Sequence, residues 1–184
     1  MSKNKKPFNG MIRVSSYTGR GADNYICEKY FEEASKFPLL KRDEEKKLAT
    51  CVYKWMQNRR KAGMRTRQNG EKARQKLINS NLRLVIKIAN EYRRMGLDFP
   101  DLINEGNMGL MKGVEKFNPN KGAKLSTYVS YWIKQCITRA LSNTSRTIRI
   151  PVHVGVLKKE LNVYREQYLE ENGEYPLMQR QLNF

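Results

Sequence analysis

From about residue 23 to residue 171 the apolar residues recur three and four apart, and nowhere do they alternate over the length of a strand. That period can bury a stripe only on helices, so the fold class is all-α. Punctuation divides the run. A short helix over 24–36 stops at Pro38, and a second spans 43–60 with Asp43, Glu44 and Glu45 in its first turn, where the helix dipole favours acids. Gly63 and Gly70 bracket a basic connector. A long helix follows over 71–95, with an apolar stripe of Leu77, Leu84 and Ile88 flanked by Leu82, Val85, Ile86 and Ala89, and Gly96 as its C-cap. Phe99-Pro100-Asp101 opens a helix to about 117, since proline suits a first helical position. Residues 118–122 (NPNKG) signal a turn, 126–142 form a further helix, and Pro151 opens a last one that Asn172-Gly173 closes. The first ~20 residues are polar and aperiodic and read as a flexible arm. There is no internal repeat.

The stretch 126–141 (STYVSYWIKQCITRAL) needs two faces. At 3.6 residues per turn, Val129, Ile133, Cys136, Ile137 and Ala140 form an ordinary core stripe. Tyr128, Tyr131, Trp132, Gln135 and Arg139 fall on a different side. An aromatic stripe is usually core, but here the aliphatic stripe already fills that role. From Lys121 to Arg149 there are six basic residues and no acidic one. Rings flanked by cations suit unstacked bases, whose stacking is worth ~1–3 kcal/mol each, whereas a duplex reader would place Arg, Asn or Gln in the major groove.

The overall charge agrees. Across 184 residues, 36 Lys and Arg oppose 18 Asp and Glu, a formal net charge of +18. Such an excess points to nucleic acid before an anionic membrane. No stretch approaches the ~20 apolar residues that span a bilayer, and the basic N-terminus lacks the apolar segment of a signal peptide. Cys27, Cys51 and Cys136 are far apart and form no Cys-x-x-Cys pair, which fits reduced thiols and no zinc site. The single histidine, His153, cannot make a metal site alone. No cofactor is expected. Asn143-Thr-Ser matches a glycosylation sequon, which carries no meaning in a cytosolic chain. With no Gly-rich phosphate loop, no nucleophile beside a base and no acidic metal cluster, an enzyme with catalytic residues is not expected. Between Lys54 and Lys76 stand nine Lys or Arg and one acid, Glu71; a solvated linker and a phosphate-contacting surface both fit.

Residues 81–117 (NLRLVIKIANEYRRMGLDFPDLINEGNMGLMKGVEKF) and 124–154 (KLSTYVSYWIKQCITRALSNTSRTIRIPVHV) closely resemble region 2 and the start of region 3 of sigma-70 factors, and 30–49 (YFEEASKFPLLKRDEEKKLA) resembles their region 1.2. The resemblance covers roughly 23–157 and is to the primary and primary-like groups rather than the shorter extracytoplasmic-function group. It implies a basic arm (1–22), region 1.2-like helices (23–60), the connector (61–70), a compact helical region 2 (71–149), the start of region 3 (150–172) and a tail (173–184). It implies a sigma factor of the bacterial cytoplasm and nucleoid that binds RNA polymerase core and recognises and melts the −10 promoter element.

Site residues follow from the same resemblance. Asp101, Asn104, Glu105, Asn107 and Met111 match positions that bind the clamp helices of the largest core subunit, with Asn104 standing where many members have Gln. Acids and amides on a helix can pair with a basic partner helix. Tyr128, Tyr131 and Trp132 match the aromatic positions around a flipped adenine of the non-template strand, with Tyr131-Trp132 where two tryptophans are common. Gln135 and Thr138 match positions that sense the upstream edge of the −10 element, and Asn81 with Ser126 matches a second flipped-base pocket. Lys124, Lys134, Arg139, Arg146 and Arg149 match backbone-contacting positions, and His153 one that contacts DNA just upstream. Ala123 and Leu125 replace residues that are aromatic in the family. Val156 stands where a glutamate reads the extended −10 motif; a valine cannot accept from a base, so that recognition should be weak or absent.

The resemblance also marks what the sequence does not contain. Up to Phe184 there is no segment for the loop that enters the polymerase channel and no helix-turn-helix for the −35 element, so either a fragment or a naturally short factor is expected. Short late-gene factors of large bacteriophages have this plan and use helper proteins. The ending QRQLNF, in which QLNF resembles peptides that dock on sliding clamps, reads as either such a tether or a frayed tail. A regulator that occupies the sigma site without melting DNA is the alternative of a different class.

Overall fold

Among the described residues the most extensive packing is between two helices that the sequence separates with a proline turn. In the computed structural model, which describes residues 21–61, 63–146 and 149–176, these helices are α5 (Phe99–Lys116) and α6 (Leu125–Thr144). Ahead of them come α1 (Gly21–Ser35), α2 (Arg42–Gln57), α3 (Met64–Ser80) and α4 (Leu82–Glu91), and α7 (Val152–Asn172) follows. The described residues are all-α, with no strand among them.

Glycines in α5 set how near α6 can come. A Cβ built on Gly109 would lie 2.6 Å from the Trp132 carbonyl oxygen and 2.7 Å from Ile133 Cα, so backbone meets backbone there. On Gly106 it would lie 2.6 Å from Cγ1 of Val85, which brings α4 into the same junction. Leu77, Leu102, Leu110, Leu125, Ile133 and Ile137 fill the surrounding core, all fully buried. Burial of each such side chain is worth ~1.5–3 kcal/mol. The stripe expected of α6 lines this core through Val129, Ile133, Ile137 and Ala140, while Cys136 sits at its margin, half-buried.

Local chemistry starts and stops the elements. Asp43, Glu44 and Glu45 occupy the first turn of α2 and Lys54 its last. In α5, Pro100 and Asp101 open the helix and Lys116 lies in its last turn. Between α5 and α6 a 3-10 turn (Pro119–Lys121) forms, in which the Asn118 side chain accepts from the Asn120 N–H (2.9 Å) and Gly122 takes the left-handed conformation at φ 75°. The last helix ends on Gly173 at φ 70°.

The structure departs from the sequence expectation at three places. The single helix over 71–95 is two helices, broken at Asn81 (φ −112°, ψ 5°). The Asn81 amide donates to the Leu77 carbonyl (2.8 Å), the local bond through which asparagine competes with a helix ladder. Second, α3 begins at Met64, so Gly70 is not a connector boundary but a buried position inside the helix. It is where Trp55 of α2 seats, since a Cβ there would collide with the indole. Third, Gly96 does not cap the helix. α4 ends at Glu91 with Tyr92 as C-cap, and Gly96 (φ 102°) lies in the following loop against Ser145 at the end of α6.

The outer helices are joined differently. α1 reaches α5 through Tyr30, whose hydroxyl donates to Asn107 Oδ1 (3.0 Å), and through Phe31 edge-on to Phe99 (6.2 Å). None of the described side chains of α7 is buried. The cysteines form no disulfide. Among the described residues no helix is long and apolar enough to cross a membrane, and no cluster of His, Cys, Asp or Glu is placed to hold a metal. The expected N-terminal arm, apart from its last two residues, and the QLNF ending lie outside the described residues.

The glycine crossing makes a paired prediction. Gly109→Ala gains about 1 kcal/mol of helix propensity but should still lose stability on balance, because overpacking costs ~1–3 kcal/mol. Gly155→Ala in α7, where a Cβ meets nothing within 4 Å, should be neutral or stabilising. Urea unfolding of both variants checks this; a Gly109→Ala protein as stable as the parent would mean that α5 and α6 do not approach so closely.

Candidate nucleic-acid interface

The outward side of α6 is built on α5. Trp132 rests on Gly113, where an added Cβ would lie 3.3 Å from the indole Cδ1, and the Lys116 ammonium stands 4.3 Å from the ring centroid. A cation over a tryptophan face is worth ~0.5–2 kcal/mol, depending on desolvation. Tyr128 and Tyr131 flank Trp132 edge-on at 6.3 and 6.2 Å. Tyr128 also tilts against buried Phe117 (5.6 Å), and its hydroxyl donates to the Lys116 carbonyl (3.4 Å). Tyr131 is 66% exposed and lies farthest out. The result is a graded aromatic ladder: Tyr128 and Trp132 half-buried and fixed, Tyr131 open to solvent. The Trp132 Nε1 is buried without an acceptor among the described residues.

Polar groups extend the ladder along the helix. Gln135 and Arg139 are exposed, one turn apart. Thr138 is exposed too, its hydroxyl donating to the Lys134 carbonyl (2.7 Å). Lys124 sits at the N-cap of α6, Arg146 and Arg149 in the passage to α7, and His153 in the first turn of α7, all exposed. Lys134 is the exception among the cations, paired with Glu91 of α4 (3.3 Å). Asn81 and Ser126 are both half-buried; no hydrogen bond joins their side chains.

A second surface lies on α5. Asp101, Asn104 and Glu105 share one side of the helix, with Asp101 and Asn104 exposed and Glu105 half-buried. Met111 is half-buried at the edge of the same side. Asn107 points towards α1, where Tyr30 holds it. Sequence reasoning missed Met108, 46% exposed and one turn from Asn104 and Glu105. Its helical spacing was the available signal. Also missed was Lys116, which reaches Trp132 from the neighbouring helix and which no periodicity in α6 could reveal.

The family model "Sigma-70 factor, region 1.2" matches residues 28–58, and "Sigma-70 region 2" matches residues 77–147. The chain is similar to the RNA polymerase sigma factor SigA of Lactococcus lactis subsp. cremoris, 47% identical over 148 residues, 80% of this chain and 37% of that protein. It is similar to the RNA polymerase sigma factor RpoS of Coxiella burnetii, 47% identical over 135 residues, 73% and 34% of the two chains. It is also similar to the SigA of Clostridium acetobutylicum, 46% identical over 149 residues, 80% and 35%. The chain thus spans about a third of the length of these relatives.

The burial of Tyr30 carries a pH signature. Burial pushes the Tyr30 phenol above its ordinary 10.0, so the folded protein holds that proton to higher pH than the unfolded chain. Stability from this group is fully present below about pH 10 and falls as pH rises through the folded value. Tyr30→Phe should therefore lose about 1 kcal/mol at neutral pH and show a smaller alkaline drop in Tm than the parent. Identical alkaline drops would place Tyr30 in solvent.

Proposed function

We propose that this chain, which belongs to the sigma-70 family through its regions 1.2 and 2, is a transcription initiation factor that docks on RNA polymerase core and opens DNA at the −10 element. The single observation that carries the reading is the aromatic ladder Tyr128–Trp132–Tyr131 on a face of α6 that holds cations and no acid.

The residues divide the work. Tyr131 and Trp132 offer flat surface to bases that have left the stack, and Tyr128 backs them from the Phe117 side. Because Trp132 is already seated on Gly113 and Lys116, little ordering entropy is spent when a base arrives. Lys124, Arg139, Arg146 and Arg149 hold phosphates; Lys134 joins them on leaving Glu91. Gln135 and Thr138 read base edges at the upstream boundary, next to His153, and Asn81 with Ser126 receives a second unstacked base. On α5, Asp101, Asn104, Glu105 and Met111, with Met108 among them, face the polymerase clamp helices, and Asn107, held by Tyr30 of α1, borders that surface. The chain works in the bacterial cytoplasm with the nucleoid. The polymerase supplies the chemistry, and this protein supplies position and strand separation.

Permanganate footprinting of a −10 promoter with bacterial core polymerase tests the reading. Thymines over the −10 region should become reactive only when the protein is present. Trp132→Ala should keep core affinity and lose roughly 10- to 100-fold in open complex, the worth of one stacked base. Tyr131→Ala should do the same with less disturbance to packing, since its ring is the exposed one. Glu105→Lys should weaken core binding at least about tenfold, equivalent to ~1.4 kcal/mol, by opposing a basic partner. Core binding without any reactive thymine, and without binding to pre-melted promoter, would instead make this a regulator that occupies the site without melting.

A further inference from the structure

Between Glu45 and Glu71 the chain carries eight Lys and Arg and no acid, and the surfaces described so far use none of them. The structure turns this run into a helical hairpin of α2 and α3. Around the turn that joins the two helices stand Lys54, Arg59, Arg60, Lys61, Arg65 and Arg67, all exposed. Among the described residues none of the six is ion-paired, whereas Arg74 farther along α3 is held by Glu71 (3.0 Å) and Glu115 (2.9 Å).

Three further observations bear on this cluster. The hairpin is firmly packed, with Trp55 4% exposed against Gly70 and the Arg59 guanidinium 5.7 Å from its ring centroid. The charges also run against local stability. α3 opens on Gly63 with no side-chain cap and no acid in its first turn, and it carries Arg65 and Arg67 there instead. Cations at a helix N-terminus oppose the dipole, while α2 opens on three acids as the dipole prefers. An external anion would reverse the sign of that cost. Finally, the last turns of α2 adjoin the turn that leads into α6: Asn118, beside the turn that bears Lys121, donates from Nδ2 to the Tyr53 hydroxyl of α2 (3.4 Å).

We propose that the tip of the α2–α3 hairpin is a second, sequence-independent binding site for the nucleic-acid backbone, taking phosphates of DNA that runs past the start of α6. The exposed amides Asn58, Gln68 and Asn69 among the cations suit phosphate and sugar oxygens. The inference goes beyond promoter melting, and its test is independent of that reading.

The test is fluorescence anisotropy of the full chain with labelled random-sequence duplex DNA over a range of salt. Arg60→Gln/Lys61→Gln/Arg65→Gln/Arg67→Gln should bind at least tenfold more weakly at low salt. Its slope of log affinity against log salt should fall by about 0.9 for each phosphate that the variant no longer neutralises. The pair Arg65→Gln/Arg67→Gln should bind more weakly yet melt at a higher temperature than the parent, which separates weaker binding from a damaged fold. Unchanged affinity and slope, or no DNA binding by the parent chain, overturns the proposal. So does displacement of DNA by polyglutamate of equal charge, which would mark the hairpin as a docking surface for an acidic protein. Failure of the permanganate experiment with this salt response intact would remove the melting reading alone.

Discussion

Backbone contact between α5 and α6 at Gly109 is the constraint on which the rest of the molecule depends. It places Trp132 on Gly113 and under the reach of Lys116, so the aromatic ladder is assembled by the crossing and not by α6 alone. The same crossing occupies one side of α5 and leaves Asp101, Asn104, Glu105 and Met108 on another. One junction thus fixes two candidate surfaces relative to each other, and packed helices transmit a shift at one to the other.

Much of this was legible in the sequence. The period of 126–141 separated an aliphatic side from an aromatic one, and Val129, Ile133, Ile137 and Ala140 are buried while Tyr131, Gln135 and Arg139 are exposed. Pro100 and Asp101 marked the start of α5, and Gly122 the turn before α6. What stayed hidden was of two kinds. Asn81 breaks a stretch of continuous helical period, because a single side-chain bond to Leu77 outcompetes the ladder and leaves the apolar pattern on both sides intact. Gly70 and Gly96 looked like punctuation, yet one sits inside a helix and the other in a loop, each meeting a residue distant in sequence. Glycine's sequence signal is the same for a turn and for a close approach. Contacts between elements, such as Lys116 with Trp132 and Tyr30 with Asn107, leave no trace in the period of either partner.

Charge is arranged separately from packing. The core is apolar, and ion pairs at its boundary join Arg74 to Glu71 and Glu115, and Lys134 to Glu91. Surface pairs of this kind contribute only ~0–1 kcal/mol, so the fold does not rely on them. The excess cations remain at the surface, where their mutual repulsion weighs on the free protein.

The exposure of Tyr131 has a consequence for how such a protein can diverge. Its ring touches Trp132 but supports no part of the core, so exchanging it for another side chain costs the fold within about 0.5 kcal/mol. Trp132 has no such latitude, being wedged between Gly113 and Lys116. If the ladder stacks opened bases as proposed, selection can retune that affinity at the outermost ring and leave the inner one in place. A lineage under pressure to serve a different set of promoters would be expected to drift first at position 131 and last at position 132.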